Sequence, residues 1–62
     1  MVMKRYKIVK TESLQKGKIP ECLCIGGEIE KFGNPKIYNS HTEAKHWIER
    51  TKNEGKFEII EV

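Results

Sequence analysis

Residues 38–62 read YNSHTEAKHWIERTKNEGKFEIIEV, a capped amphipathic helix that runs straight into an apolar strand. Ser40 and Glu43 have the S-x-x-E spacing of a capping box. In such a box the Ser hydroxyl accepts from the Glu43 amide and the carboxylate reaches back to the Ser40 amide. Ala44, Trp47, Ile48 and Thr51 recur at i, i+3, i+4 and i+7, which puts them on one stripe centred on the lone Trp. His46, Glu49 and Arg50 look outward. The helix is expected to run from Ser40 to about Asn53. Gly55 suits the left-handed residue after its end, with Lys52 near the negative terminus. In Phe57–Val62, Phe57 and Ile59 fall on one side and Ile60 and Val62 on the other.

Working upstream, Val2–Lys10 alternates as a strand, with Tyr6 and Ile8 on one face and Lys7 and Val9 on the other. Thr11–Pro20 is polar, holds Gly17 and ends at Pro20, so it reads as a loop. It is longer than a tight hairpin needs, which points to mobility or binding. Glu21–Ile25 and Glu28–Phe32 flank Gly26-Gly27 and read as a hairpin with a two-residue type I′ turn. Leu23 and Ile25 then face one way, Cys22 and Cys24 the other. Gly33-Asn34-Pro35 is a second turn, and Lys36–Tyr38 a short strand leading to the helix. The expected architecture is α+β: strand, strand, strand, helix, strand, with the helix across one face of a mostly antiparallel sheet.

The 62 residues make one small domain, and at this size folding buries only about 60% of the chain's surface. Hydrophobic residues at 37% and charged residues at 34% describe a soluble globular chain, whose default location is cytoplasmic. No apolar run is long enough to span a membrane, and the h-region of a secretory signal is missing. Every acidic residue is Glu, so calcium loops and the usual Asp-based phosphoryl chemistry lack their normal ligands. No cofactor is expected. Residues 1–20 carry six basic side chains against one Glu, whereas residues 21–62 carry six against eight. Lys4, Arg5, Lys7, Lys10, Lys16 and Lys18 are thus candidate ligands for a nucleotide or nucleic acid. Only Tyr6 interleaves an aromatic ring with them.

A single helix covers one face of a sheet. Val9, Cys22, Cys24, Ile60 and Val62 are expected on the other face or on an exposed edge, where they would meet a second copy of the chain or a host protein. Cys22-x-Cys24 places two thiols on one side of a strand, but zinc sites use a wider C-x₂₋₄-C spacing, and His41 and His46 diverge on the helix. Two reduced, half-buried cysteines are expected, with no metal. The histidines lack an acidic or nucleophilic partner at fixed spacing, and Ser13 and Ser40 cannot join a triad without Asp. Lys16-Gly17-Lys18 and Gly26-Gly27 could present amides to a phosphate, but neither matches a P-loop. No enzyme is expected, since no acid, base and nucleophile converge.

The pattern resembles short proteins of bacteriophages and low-GC Gram-positive bacteria. These open with a strand like YKIV, here Tyr6–Val9, and carry S-x-x-E-A-x-x-W-I on a helix, here Ser40 to Ile48. They finish with a strand like FEIIEV, here Phe57–Val62. The resemblance implies a phage-type accessory protein; such proteins bind and inhibit a host enzyme, or bind a nucleotide signal used in host defence. It assigns no functional residue. Two readings follow: a non-enzymatic inhibitor or modulator of a host protein, acting through the uncovered sheet face or an edge strand, and a nucleotide or nucleic-acid binder using the basic first third. A dimer that sequesters a nucleotide would combine them.

Overall fold

The computed structural model describes residues 3–62. Val2, the first residue of the expected opening strand, lies outside them. Along the chain run β1 (Tyr6–Lys10), a 3₁₀ turn (Thr11–Ser13), β2 (Cys22–Leu23), β3 (Ile29–Glu30), α1 (His41–Arg50) and β4 (Phe57–Glu61). The strands form one antiparallel sheet in the order β3-β2-β1-β4. The α+β class and the one-helix arrangement expected from the periodicities are both present.

The longest ladder joins the two ends of the chain. β1 and β4 pair over five positions, from Tyr6↔Glu61 to Lys10↔Phe57. β1 and β2 meet at only one position, Val9↔Cys22, and then splay apart. Residues 35–38 fill the gap. Pro35 bridges Cys24 on one side, and Tyr38 exchanges two 2.8 Å backbone hydrogen bonds with Tyr6 on the other. The short segment expected before the helix is therefore a wedge between two strands.

Register assigns the faces. Ile8, Leu23, Ile29, Phe57 and Ile59 share the helix side, and the core cluster is Ile8, Leu23, Ala44 and Ile48, with Ile29, Tyr38, Trp47, Phe57 and Ile59 packed round it. Ala44 is fully buried, so the helix backbone approaches the sheet closely there. Trp47 is only half-buried and meets Phe57 edge-on, with ring centroids 5.4 Å apart. The stripe is thus centred on Ala44 and Ile48 rather than on the indole. Thr51, expected on that stripe, is exposed and closes the helix.

The helix ends are built from local hydrogen bonds. Ser40 Oγ accepts from the Glu43 amide at 3.3 Å; no return bond from the Ser40 amide to the Glu43 carboxylate forms among the described residues. At the other end, Thr51 Oγ1 donates to the Trp47 and Ile48 carbonyls. Lys52 takes φ +56°, its amide bonds Glu49 O, and the Asn53 amide bonds Ile48 O. This 5→2 and 6→1 pair is a Schellman motif with lysine in the left-handed position. The helix therefore stops at Arg50, earlier than the spacing predicts, and Gly55 (φ +82°) serves the next turn, where the Lys56 amide bonds Asn53 O.

The hairpin also differs from its expected form. Cys22 pairs with Glu30 and Leu23 with Ile29, and the Gly27 amide bonds Cys24 O. This leaves a three-residue loop, Ile25–Gly27, in which only Gly27 has positive φ. A type I turn followed by a left-handed glycine has this geometry, rather than the two-residue I′ turn. Ile25 is lifted into the turn and left 70% exposed, off the face of Leu23.

Two stability measurements check this packing. Replacing Lys52 with Gly removes the left-handed penalty on an L-residue and should add about 1 kcal/mol, read as a melting temperature higher by about 4–8 °C. Ile8→Ala should cost about 2–5 kcal/mol and exceed the loss from Trp47→Ala, because Ile8 is fully buried and the indole is not. A larger loss from the tryptophan in urea titration would contradict this account of the core.

Candidate functional site

The six cations of the first third do not form one patch. Lys4 and Arg5 precede β1, and Lys4 pairs with Glu61 at 4.0 Å. Lys7 points to the face away from the helix, and Lys10 lies at the far end of the strand, roughly 20 Å from Lys4 at ~3.3 Å per residue. Lys16 and Lys18 flank an exposed turn in which the Lys18 amide bonds Gln15 O and Gly17 has φ +86°. Strand alternation and strand length separate charges that are neighbours in sequence.

The face opposite the helix is only partly open. Register puts Val9, Cys22 and Ile60 there, and strand alternation adds Val62. Val9, however, is fully buried and Cys24 nearly so, which removes both from any docking surface. Val9 lies on an inner strand, and the following connection is tied down by Ser13, whose Oγ donates to Lys10 O and accepts from the Glu21 amide. Cys24 is closed in by Gly33, where a Cβ would stand 2.6 Å from its Sγ. Half-buried Cys22 and Ile60 and exposed Val62 remain. Both cysteines are free thiols, and Cys24 Sγ contacts Cys22 O at 3.4 Å. His41 meets Tyr6 edge-on at 5.7 Å. Among the described residues no three His, Cys, Asp or Glu side chains converge as a metal site, and no helix is long and apolar enough to cross a membrane.

Two features stand out in place of the expected patch. One is the outer edge of β4. The Thr11 amide bonds Lys56 O and the Val62 amide bonds Arg5 O, so the even-numbered residues of this stretch point their backbone groups at β1. By alternation Phe57, Ile59 and Glu61 aim theirs outward, where no strand follows among the described residues. The other is a cleft of about 620 Å³ at the opposite end of the same ladder, lined by Lys10, Thr11, Glu12, Gly55, Lys56 and Phe57. Lys10 and Phe57 stand directly opposite each other at its rim. Neither lysine has a carboxylate within ion-pair distance among the described residues. Thr11 Oγ1 is buried without a hydrogen-bond partner. Lys56 and the exposed backbone of β4 were not singled out by sequence; Lys10 was, as one of the basic residues of the first third, and Gly55 only as a turn residue.

Comparison with protein-family models, with curated proteins and with solved structures finds no match.

One carboxyl group is perturbed. Glu30 is held above its ordinary range, first by a hydrogen bond with Glu28, then by the Glu28 charge, with a smaller contribution from desolvation. A raised acid binds its proton more readily in the folded chain, so its stabilising contribution is present at low pH and lost as pH climbs through the raised value. The wild type should therefore gain stability relative to Glu30→Gln as pH falls toward the ordinary glutamate range. Denaturation midpoints of the two proteins that run parallel across that window would show that Glu28 and Glu30 do not interact.

Proposed function

We propose that this chain is a non-enzymatic interaction protein that modulates a larger protein by accepting one of its extended segments on the outer edge of β4. The single observation behind this reading is that edge: five residues long, backed by a complete ladder to β1, with the polar groups of Phe57, Ile59 and Glu61 unpaired among the described residues. Strand addition draws affinity from main-chain hydrogen bonds and specificity from alternate side chains. Half-buried Ile60 and exposed Val62 extend the docking surface onto the face away from the helix.

Charge favours a partner other than a second copy. β4 carries Glu58 and Glu61 and no basic residue, so pairing two copies would gather four carboxylates on adjacent strands. A segment with Lys or Arg at alternate positions is the complementary occupant. In the phage-type reading that the resemblance supplies, the segment belongs to a host protein.

The test is a paired capture experiment. Glu61→Pro deletes one outward-facing amide while sparing the ladder to β1, and Glu58→Lys with Glu61→Lys reverses the edge charge. The wild type should retain a partner that both variants lose, with unchanged circular dichroism, and the free chain should scatter light as a monomer. Equal retention by all three proteins would sink the edge reading.

A further inference from the structure

We infer that the cleft at the head of β4 is a binding site for a small phosphate monoester, adjoining at Phe57 the edge that carries the proposed function. The cleft's volume, about 620 Å³, lies within the range of small-molecule sites. Its charged lining is two lysines against one glutamate. Lys10 reaches it from the last position of β1, and Lys56 from the residue before β4. These two ammonium groups are free of carboxylate partners among the described residues.

Backbone and hydroxyl donors supplement them. Gly55 occupies the left-handed corner of the Asn53–Lys56 turn, and its amide makes no hydrogen bond within the described residues. Nothing stands within 4 Å of where a Gly55 Cβ would lie, so the glycine serves the turn's φ and leaves the backbone approachable. Thr11 lines the cleft, with its Oγ1 buried behind the surface and unsatisfied among the described residues. A buried polar atom without a partner is a net cost to folding. Rotation about χ1 gives it the acceptor that the chain does not supply, a phosphate oxygen in the cleft. The Phe57 ring, braced edge-on by Trp47, offers an apolar wall for the ester's organic group. Glu12 is the one repulsive member; it accepts from a ligand hydroxyl or amine and disfavours bare inorganic phosphate.

Phenyl phosphate and inorganic phosphate are the probes, titrated into ¹⁵N-labelled chain at low ionic strength. Phenyl phosphate should shift the amides of Thr11, Gly55 and Lys56 saturably and bind more tightly than inorganic phosphate. Lys10→Gln and Lys56→Gln should each weaken it about tenfold, the scale of one charge-assisted hydrogen bond. Lys18→Gln and Lys31→Gln, which line a different depression, should change it less than about twofold, as expected of charges outside the cleft. Glu12→Gln should tighten inorganic phosphate. Thr11→Val should raise the melting temperature while weakening phenyl phosphate. Non-saturating shifts, or equal losses from Lys18→Gln and Lys10→Gln, would overturn the site while leaving the edge-strand reading untouched.

Discussion

The pairing of β1 with β4 is the constraint on which the remaining geometry rests. It joins residues separated by most of the chain, so its loop-closure entropy is met only once the intervening elements are in place. Among the described residues no second ladder is of comparable length: β2 and β3 share two positions, and β1 meets β2 at one. The five β1–β4 positions align Ile8 with Ile59, and this pair is the floor onto which Ala44 and Ile48 settle. The same alignment sends Lys10 to one end and Lys4 to the other. Helix packing and charge placement both follow from one register.

That register also explains the wedge. A strand held along its whole length by β4 twists with it, and β2, anchored only at Cys22, diverges beyond Val9. The backbone groups of Tyr6 on that side would face empty space, a cost that segment 35–38 removes by bonding Tyr6 through Tyr38. Tyr38 lies two residues before the Ser40 cap in the chain's run into the helix, and the Lys36 ammonium lies over its ring at 5.3 Å. Filling a gap in the sheet and starting the helix are one structural act.

Local chemistry was readable in the sequence where it acts locally. The Ser40 Oγ bond to the Glu43 amide, the burial of Ala44 and Ile48 and the alternation of Phe57–Glu61 depend on residues a few positions apart and appear as expected, whereas the box's return bond is absent among the described residues and Thr51 leaves the stripe. The misread features depend on distant partners or on competition between adjacent residues. Gly26-Gly27 suits either a two- or a three-residue loop, and the pairing of Cys22 with Glu30 decides between them. Gly55 is the better left-handed residue by type, yet Thr51 bonds back to the last turn first and leaves Lys52 in that conformation. Cys24 reads as a half-buried thiol on the uncovered face until Gly33 closes over it. Of the candidate site, Lys10 was visible in advance; Lys56 and Thr11 join it only through the ladder's final hydrogen bond.

An open edge strand is a hazard for a soluble protein, and natural sheets blunt such edges with charge. Here the charge is acidic and sits on both faces of β4, with Glu58 on the side away from the helix and Glu61 on the helix side. An approaching copy meets carboxylates whichever face it aligns. Glu61 is partly offset by Lys4, whose 4.0 Å contact is exposed and therefore weak; Glu58 has no ion-pair partner among the described residues. The groups that discourage self-association thus leave a net negative edge with unspent hydrogen-bonding capacity. A basic extended segment can use both properties at once, because each carboxylate it neutralises removes the repulsion that protected the edge.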